Sequence, residues 1–194
     1  MLGVLRSWLK SFGWIEPEVR SFETAMVHWI NDLIQGEIAR DFEGFRELVD
    51  SEVKPNELIR ELLMAYMHLT TRLSRKHYSS DSAHSKGMDL LHREAYKWFV
   101  ENAEVDYDEA RPFEELLRSR YAEYDIAFSQ KDGRALHYFA KTFISCLTDS
   151  QDLLESNPLP IANAAVTFKT FVDSSDDLLK NMRSIYPPLK KRKR

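Results

Sequence analysis

The sequence predicts an all-α protein: a single-domain antiparallel bundle of about six or seven helices, preceded by a short amphipathic helix. Two features predict it. Apolar residues recur at helical spacing in almost every stretch between the prolines, most clearly in the last one, where a single stripe holds Ile161, Ala165, Phe168, Val172 and Leu179. Glycine is scarce, with 6 residues in 194, whereas turn-rich β folds use more of it.

The first predicted elements cover residues 1–49. Residues 1–13 form an amphipathic helix that Gly13 ends; its apolar side holds Leu2, Leu5, Leu9 and Phe12. Pro17 suits the first turn of the next helix, because its missing N–H costs nothing there. Helical periodicity then continues to Val49, with Gly36 and Gly44 as candidate breaks, which predicts one bent helix or two consecutive ones.

The remaining elements follow the prolines and polar stretches. Pro55 opens a helix whose inward face is Leu58, Leu62, Tyr66, Leu69 and Leu73. A serine-rich loop over 79–85 precedes a helix with Met88, Leu91, Ala95 and Phe99 inward, and an acidic connection follows over 101–109. Pro112 starts another helix, a turn lies at 131–133, and two further helices occupy 136–147 and 161–186.

The domain organisation is simple. The chain has no internal repeat and no Gly/Ser linker, so residues 17–186 are predicted to form one helical bundle, followed by a basic tail over 187–194. Hydrophobic residues make up 43% and charged residues 30%, which is typical of a globular protein and not of a disordered one.

Charge and cysteine content narrow the classes of partner and compartment. The formal charge is −4, of which the last five residues contribute +5, so the rest of the chain carries −9 and nucleic-acid binding is unlikely except through the tail. The only cysteine, Cys146, lies on an apolar stripe and is predicted to be a small buried residue. No apolar run reaches the roughly 20 residues of a membrane span, and no convincing signal peptide is present, so we expect a cytoplasmic protein.

The histidines offer one alternative chemistry, a metal site. Bundle di-metal sites use Glu-x-x-His pairs on facing helices, and this chain has none. It has two Asp-x-x-His pairs, of which Asp81/His84 falls in the predicted serine-rich loop and Asp89/His92 on a helix. Asp89 and His92 are therefore the metal-ligand candidates of a metal-dependent hydrolase. The preferred expectation is no metal and no cofactor, since phosphate-binding and redox motifs are also absent from the sequence.

A second alternative is a ribonuclease. The segment Arg72-Leu-Ser-Arg-Lys-His77 resembles the Arg-x(4–6)-His element of the HEPN helical-domain ribonucleases over six residues. The resemblance implies that Arg72 and His77 act together on an RNA phosphodiester. A basic helix C-terminus that complements the helix dipole explains the same residues without chemistry.

The N-terminal segment carries the main functional hypothesis. Its charged residues are only cationic and Trp8 flanks its apolar face, a composition typical of a helix that binds a partner's groove or lies at a membrane surface. The candidate contact residues are Leu5, Trp8, Leu9 and Phe12. We therefore expect a non-enzymatic protein–protein interaction or adaptor protein, with a protein partner or self-association and with peripheral membrane contact as a further option. A bundle enclosing an apolar ligand is a third alternative, since the aromatic residues could line a cavity as well as fill a core.

The basic tail suggests an alternative compartment. Its cationic residues resemble a monopartite nuclear-import signal or an arm for anionic surfaces: Lys190, Lys191, Arg192, Lys193 and Arg194. If an import receptor binds this tail, the protein is nuclear. A solvated terminus without a receptor is the simpler interpretation.

Overall fold

A computed structural model of the chain describes residues 36–49, 53–78, 82–102, 111–130, 132–148 and 157–185. Of these residues 91% are helical and none lies in a strand, so the predicted all-α class is confirmed for this part of the chain. The described helices are α1 (36–48), α2 (Pro55–Tyr78), α3 (Ser82–Asn102), α4 (Arg111–Phe128), α5 (Ala135–Leu147) and α6 (Leu159–Ile185).

The helix starts follow the backbone chemistry of proline and glycine. Pro55, Pro112 and Pro160 lie in the first turns of α2, α4 and α6, where a missing N–H breaks no intrahelical hydrogen bond. Gly133, just before α5, has a φ of +78°, a left-handed conformation that glycine adopts without a steric penalty. Two expectations about helix boundaries are wrong. Gly44 lies inside α1 and does not break it. Helix α3 begins at Ser82, so His84 lies within this helix and is buried, not in a serine-rich loop.

Helix α2 is the central helix of the bundle. The predicted inward residues Leu58, Leu62, Tyr66 and Leu69 are buried, and Leu73 is half-buried. Every residue from 61 to 71 is buried, so this stretch of α2 is covered on all sides. Helices α3, α4, α5 and α6 contact it directly, and Tyr66 hydrogen-bonds Asp41 of α1.

The contacts fix the directions of the helices. Helices α2 and α4 are parallel. Glu61 of α2 contacts Arg120 of α4, and nearer the C-termini of both helices Arg72 lies over the ring of Phe128. Helices α3 and α4 are antiparallel, with contacts between His92 and Tyr121 and between Phe99 and Phe113. Helices α4 and α5 are antiparallel as well, with Phe128 against Phe139 and Glu123 against Cys146. The helix pairs α3/α4 and α4/α5, each consecutive in the sequence, are therefore antiparallel, as expected for neighbours in the predicted bundle.

A cluster of aromatic rings lies where α1, α5 and α6 meet. The ring of Phe168 contacts those of Phe45, Phe139 and Phe143 at centroid distances of 5.6, 5.0 and 5.1 Å. The pairs of Phe168 with Phe139 and Phe143 are edge-to-face and its pair with Phe45 is stacked, and such pairs add to the stabilisation that comes from burying the rings. None of the described helices is both long and apolar enough to cross a bilayer.

Candidate functional site

The candidate functional site is a polar stripe on the central helix. It consists of Glu61, His68, Thr71, Arg72 and Arg75, whose spacing places them on one face of α2. This face is turned toward α4, because Arg120, Tyr121 and Asp125 of α4 supply its partners. An apolar stripe would be the ordinary choice at such an interface, so these polar residues need their own explanation.

The first part of the stripe is a buried ion pair. Glu61 is 1% exposed and accepts hydrogen bonds from the Nε and Nη2 atoms of Arg120 at 3.0 and 3.4 Å. Burial raises the pKa of Glu61, and the hydrogen bond from Arg120 opposes that rise. Arg120 also donates to Glu123 at 3.0 Å, so its charge is shared between two carboxylates. This pair joins α2 to α4 and presents no reactive group to solvent.

The second part is a charged triad of His68, Asp125 and Arg72. His68 donates from Nε2 to Asp125 Oδ1 at 3.1 Å, and Arg72 Nη1 lies 3.7 Å from the same oxygen. The guanidinium of Arg72 is also stacked 4.3 Å from the ring centre of Phe128. Asp125 is exposed whereas His68 is buried, so the carboxylate closes the outer side of the imidazole.

The triad resembles a general base with its orienting carboxylate, but its geometry does not suit that role. Because Nε2 donates to Asp125, Nδ1 is the free acceptor, and it is buried without a hydrogen-bond partner. Burial lowers the pKa of His68, and the contact with Asp125 opposes this. Four rings surround the imidazole at centroid distances of 5.0–5.9 Å: Tyr121, Tyr124, Phe128 and Phe139. A substrate proton could not reach Nδ1 without opening this cage.

The third part connects α2 to α3 through Tyr121. His92 donates from Nδ1 to the carbonyl oxygen of Met88 at 2.7 Å, so its Nε2 accepts the hydroxyl of Tyr121 at 2.9 Å. Thr71 faces the same phenol without reaching hydrogen-bonding geometry. Burial lowers the pKa of His92, and the charge of the exposed Arg75 lowers it further.

Two further polar contacts join other faces of α2 to α3 and to α6. Ser74 Oγ lies 2.9 Å from His84 Nε2 of α3, and both side chains are buried. His77 Nε2 lies 2.8 Å from Asp176 Oδ1 of α6. Hydrogen bonds from Lys180, His77 and Lys76 hold the pKa of Asp176 well below its usual range. These contacts join helices within the bundle.

The ribonuclease candidates lie on different sides of α2. Arg72 contacts α4 through Asp125 and Phe128, whereas His77 contacts α6 through Asp176. Residues five apart on a helix are separated by roughly 140°, which accounts for the divergence. The structure therefore does not bring Arg72 and His77 together as the HEPN resemblance implies; Arg72 is paired with His68 through Asp125 instead.

The metal-ligand candidates also lack a third ligand nearby. Asp89 is exposed on α3, and both ring nitrogens of His92 are engaged by Met88 and Tyr121. Within the part of the chain that the structure describes, no three His, Cys, Asp or Glu side chains are grouped closely enough to hold a metal ion. Cys146, predicted to be a small buried residue, is half-buried, and its thiol lies 3.6 Å from Glu123.

The predicted contact residues of the N-terminus and the tail lie outside the described residues. These are Leu5, Trp8, Leu9 and Phe12, and Lys190, Lys191, Arg192, Lys193 and Arg194. Their roles stay predictions.

An exposed stripe of uncharged residues lies along the first half of α6. We call it the uncharged face of α6; its members are Leu159, Ala162, Asn163, Val166 and Thr170, all exposed. Leu159 and Val166 are 58% and 66% exposed. Residues 157–168 contain no charged side chain, although 30% of the whole chain is charged. The second half of α6 is polar outside, with Asp173, Asp177 and Lys180 exposed.

The residues that matter most in the polar stripe are not among the site residues predicted from the sequence, apart from Arg72. Glu61, His68 and Arg75 recur every seven residues along α2, and Glu61 and His68 are the polar residues of an otherwise apolar run over 61–69, so their spacing is a signal that the sequence contains. Asp125 and Tyr121 carry no such signal, because only the packing of α4 on α2 makes them partners. The chain matches no protein-family model, no curated protein and no solved structure at a significant level.

Proposed function

We propose that this protein is a non-enzymatic helical interaction protein that binds a protein partner, including a second copy of itself, through the N-terminal contact residues Leu5, Trp8, Leu9 and Phe12. The observation that best supports an interaction role is the uncharged face of α6, a further candidate contact surface in the described part of the chain, where Leu159 and Val166 are largely exposed. A surface that combines exposed apolar side chains with an absence of charge is typical of contact regions.

The polar stripe on α2 agrees with this proposal more easily than with catalysis. Glu61 and His68 are buried and engaged with α4, and His92 is engaged by Tyr121. A catalytic acid or base must reach a substrate, and these groups face neighbouring helices instead. Their role is to hold the helices in one arrangement, which a binding surface requires.

The N-terminal segment provides the binding energy in this proposal. Each large apolar side chain that becomes buried contributes roughly 1.5–3 kcal/mol, so a row of four is enough for a stable contact. Helical spacing predicts Arg6 and Lys10 on the other side of this row, where they can face an acidic surface.

The test compares Trp8→Glu with Ile126→Glu in the full chain. Both variants replace an apolar residue with a carboxylate, and Ile126 is 64% exposed on α4. Thermal melting is measured alongside association, the latter by light scattering after size exclusion and by sedimentation with vesicles of phosphatidylcholine and phosphatidylserine.

We expect Trp8→Glu to abolish self-association and to change the melting temperature by less than about 2 °C, the size of a surface effect. Ile126→Glu should change neither quantity. Loss of vesicle sedimentation with unchanged self-association would place the segment at a membrane and not at a protein. A large loss of melting temperature with unchanged association would make the segment ordinary core and refute the proposal.

A further inference from the structure

We propose that Tyr121 of α4 is a two-position hydrogen-bond switch. Its hydroxyl donates to His92 of α3 while that imidazole is neutral, and it donates to Thr71 of α2 once the imidazole is protonated. In acid the phenol thereby joins three helices, whereas in the neutral state its hydroxyl joins α4 to α3 alone. The switch does not depend on how the protein binds a partner.

Two hydrogen bonds fix the neutral position of the switch. His92 Nδ1 donates to the carbonyl oxygen of Met88 at 2.7 Å, which leaves Nε2 as the acceptor of the Tyr121 hydroxyl at 2.9 Å. Both ring nitrogens are used within the protein, so His92 is a hydrogen-bonding group here and not a metal ligand. A proton added to His92 can therefore go only to Nε2, the atom that accepts the phenol.

Protonation of His92 reverses its contact with Tyr121. The proton comes from solvent, and Nε2 becomes a donor, so the phenol oxygen has to accept its hydrogen. A hydroxyl group has one hydrogen and two lone pairs, so the phenol can accept from His92 and donate elsewhere at the same time. Its own hydrogen then needs a new acceptor, because a donor left unpaired inside the protein is unfavourable.

Thr71 supplies this second acceptor. Its side chain is 5% exposed, and its Oγ1 is buried without a hydrogen-bond partner in the described part of the chain. Thr71 lies one turn along α2 from His68, whose ring is 5.0 Å from the ring of Tyr121, and it faces the same phenol. A hydroxyl oxygen held unpaired beside a phenol is explained if the phenol uses it in one of two states.

Charged groups on α2 and α3 set the pH at which the switch operates. On α2, Arg75 is exposed one turn beyond Thr71. On α3, Asp89 is exposed one turn before His92. Burial lowers the pKa of His92, and the positive charge of Arg75 lowers it further. The hydrogen bond to Met88 and the negative charge of Asp89 oppose this. His92 is therefore neutral at pH 7 and accepts a proton only below about pH 6.5.

On α4 the charged group beside Tyr121 is Asp125, one turn further along the helix. Asp125 accepts the hydrogen bond of His68 Nε2 at 3.1 Å and lies 3.7 Å from Arg72 Nη1. His68 is the other titratable group in contact with the phenol ring, but a proton added to it goes to Nδ1, which has no hydrogen-bond partner. Titration of His68 therefore leaves the hydroxyl of Tyr121 in place, and only His92 operates the switch.

The test follows the titration of His92 in the full, ¹⁵N-labelled chain, through the chemical shifts of its ring nitrogens from about pH 8 to about pH 5. Thr71→Val removes the second acceptor and keeps the shape of the side chain, and Thr71→Ser restores a hydroxyl. The matched control is Thr70→Val, because Thr70 Oγ1 is also buried without a partner but lies about 100° around α2. Circular dichroism and thermal melting establish that each variant is folded.

We expect Thr71→Val to lower the midpoint of the His92 titration by at least about 0.5 pH unit, because protonated His92 then leaves the phenol hydrogen unpaired. Thr71→Ser should restore the midpoint, and Thr70→Val should leave it unchanged. The neutral state does not use Thr71, so at pH 7 Thr71→Val should lower the melting temperature by no more than about 2 °C.

Tyr121→Phe separates the switch from a simple change of polarity near His92. If Thr71 acts through the phenol, Thr71→Val has no further effect on the His92 midpoint when Tyr121→Phe is present. An equal effect of Thr71→Val in both backgrounds, or no effect in the wild-type background, would overturn the proposal. So would a His92 that stays neutral until the bundle unfolds in acid, because the second position would then never be used.

Discussion

Removal of Arg120 should destabilise the protein strongly, because it leaves a buried carboxylate without its main partner. The perturbation is Arg120→Met, which keeps the length of the aliphatic stem. Glu61 is 1% exposed and would lose hydrogen bonds of 3.0 and 3.4 Å. Breaking a buried ion pair in this way costs about 3–5 kcal/mol of unfolding free energy.

The structure places the expected cost near the lower end of that range. Arg60 Nη2 lies 3.8 Å from Glu61 Oε1 and would still compensate part of the charge. We therefore expect a loss of about 3 kcal/mol, which for a chain of this size lowers the melting temperature by about 6–12 °C. Glu61→Gln should cost less, about 1–2 kcal/mol, because Arg120 keeps its 3.0 Å contact with Glu123.

The pH dependence of the variant gives a second readout. Burial already raises the pKa of Glu61 in the folded protein, and loss of Arg120 must raise it further. A carboxyl group whose pKa is higher in the folded than in the unfolded state destabilises the fold while it is ionised, and this penalty falls as pH decreases. The difference in stability between wild type and Arg120→Met should therefore shrink from pH 7 to pH 5.

The assay is urea denaturation of each variant, followed by circular dichroism at both pH values. The double variant Glu61→Leu/Arg120→Met should recover to within about 1 kcal/mol of wild type, because an apolar pair replaces an ion pair with little net loss. A loss below about 1 kcal/mol for Arg120→Met, or a double variant no more stable than Arg120→Met, would refute the argument that Glu61 is a buried charge compensated by Arg120.

Three other predictions follow from the described residues. Burial lowers the pKa of His68 and His92, so below about pH 6.5 these two side chains bind fewer protons in the folded than in the unfolded protein. The melting temperature should therefore fall less between pH 7 and pH 5 in His68→Phe than in wild type. Identical slopes of melting temperature against pH would contradict this. Burial raises the pKa of Cys146 to about 12, so only roughly 10⁻⁴ of the thiol is ionised at pH 8. Iodoacetamide should therefore label the native protein at least about 100-fold more slowly than the unfolded one. Equal labelling rates would show an accessible thiolate. Elemental analysis of the purified protein should find no stoichiometric transition metal, and about one zinc, iron or manganese per chain would revive the hydrolase hypothesis.

The helical class and several helix starts followed from the sequence, because both depend on local backbone chemistry. Apolar residues at helical spacing predicted α2 and α6, and Pro55 and Pro112 marked helix starts to within one residue. The start of α3 was placed too late, because serines favour loops in isolation. In the folded chain α3 begins at Ser82, and His84 in its first turn is buried against Ser74 of α2.

The central position of α2 and the partners of its polar stripe were decided by tertiary structure alone. Sequence periodicity identifies an apolar face, but it cannot reveal that the opposite face is buried too, since that depends on how many helices surround α2. Arg72 shows the difference. Its spacing from His77 in the sequence suggested one pair, whereas helix geometry separates the two residues and the packing of α4 brings Arg72 to Asp125 and His68. Chemical partnership between side chains depends on distance in three dimensions, which no spacing along one helix determines.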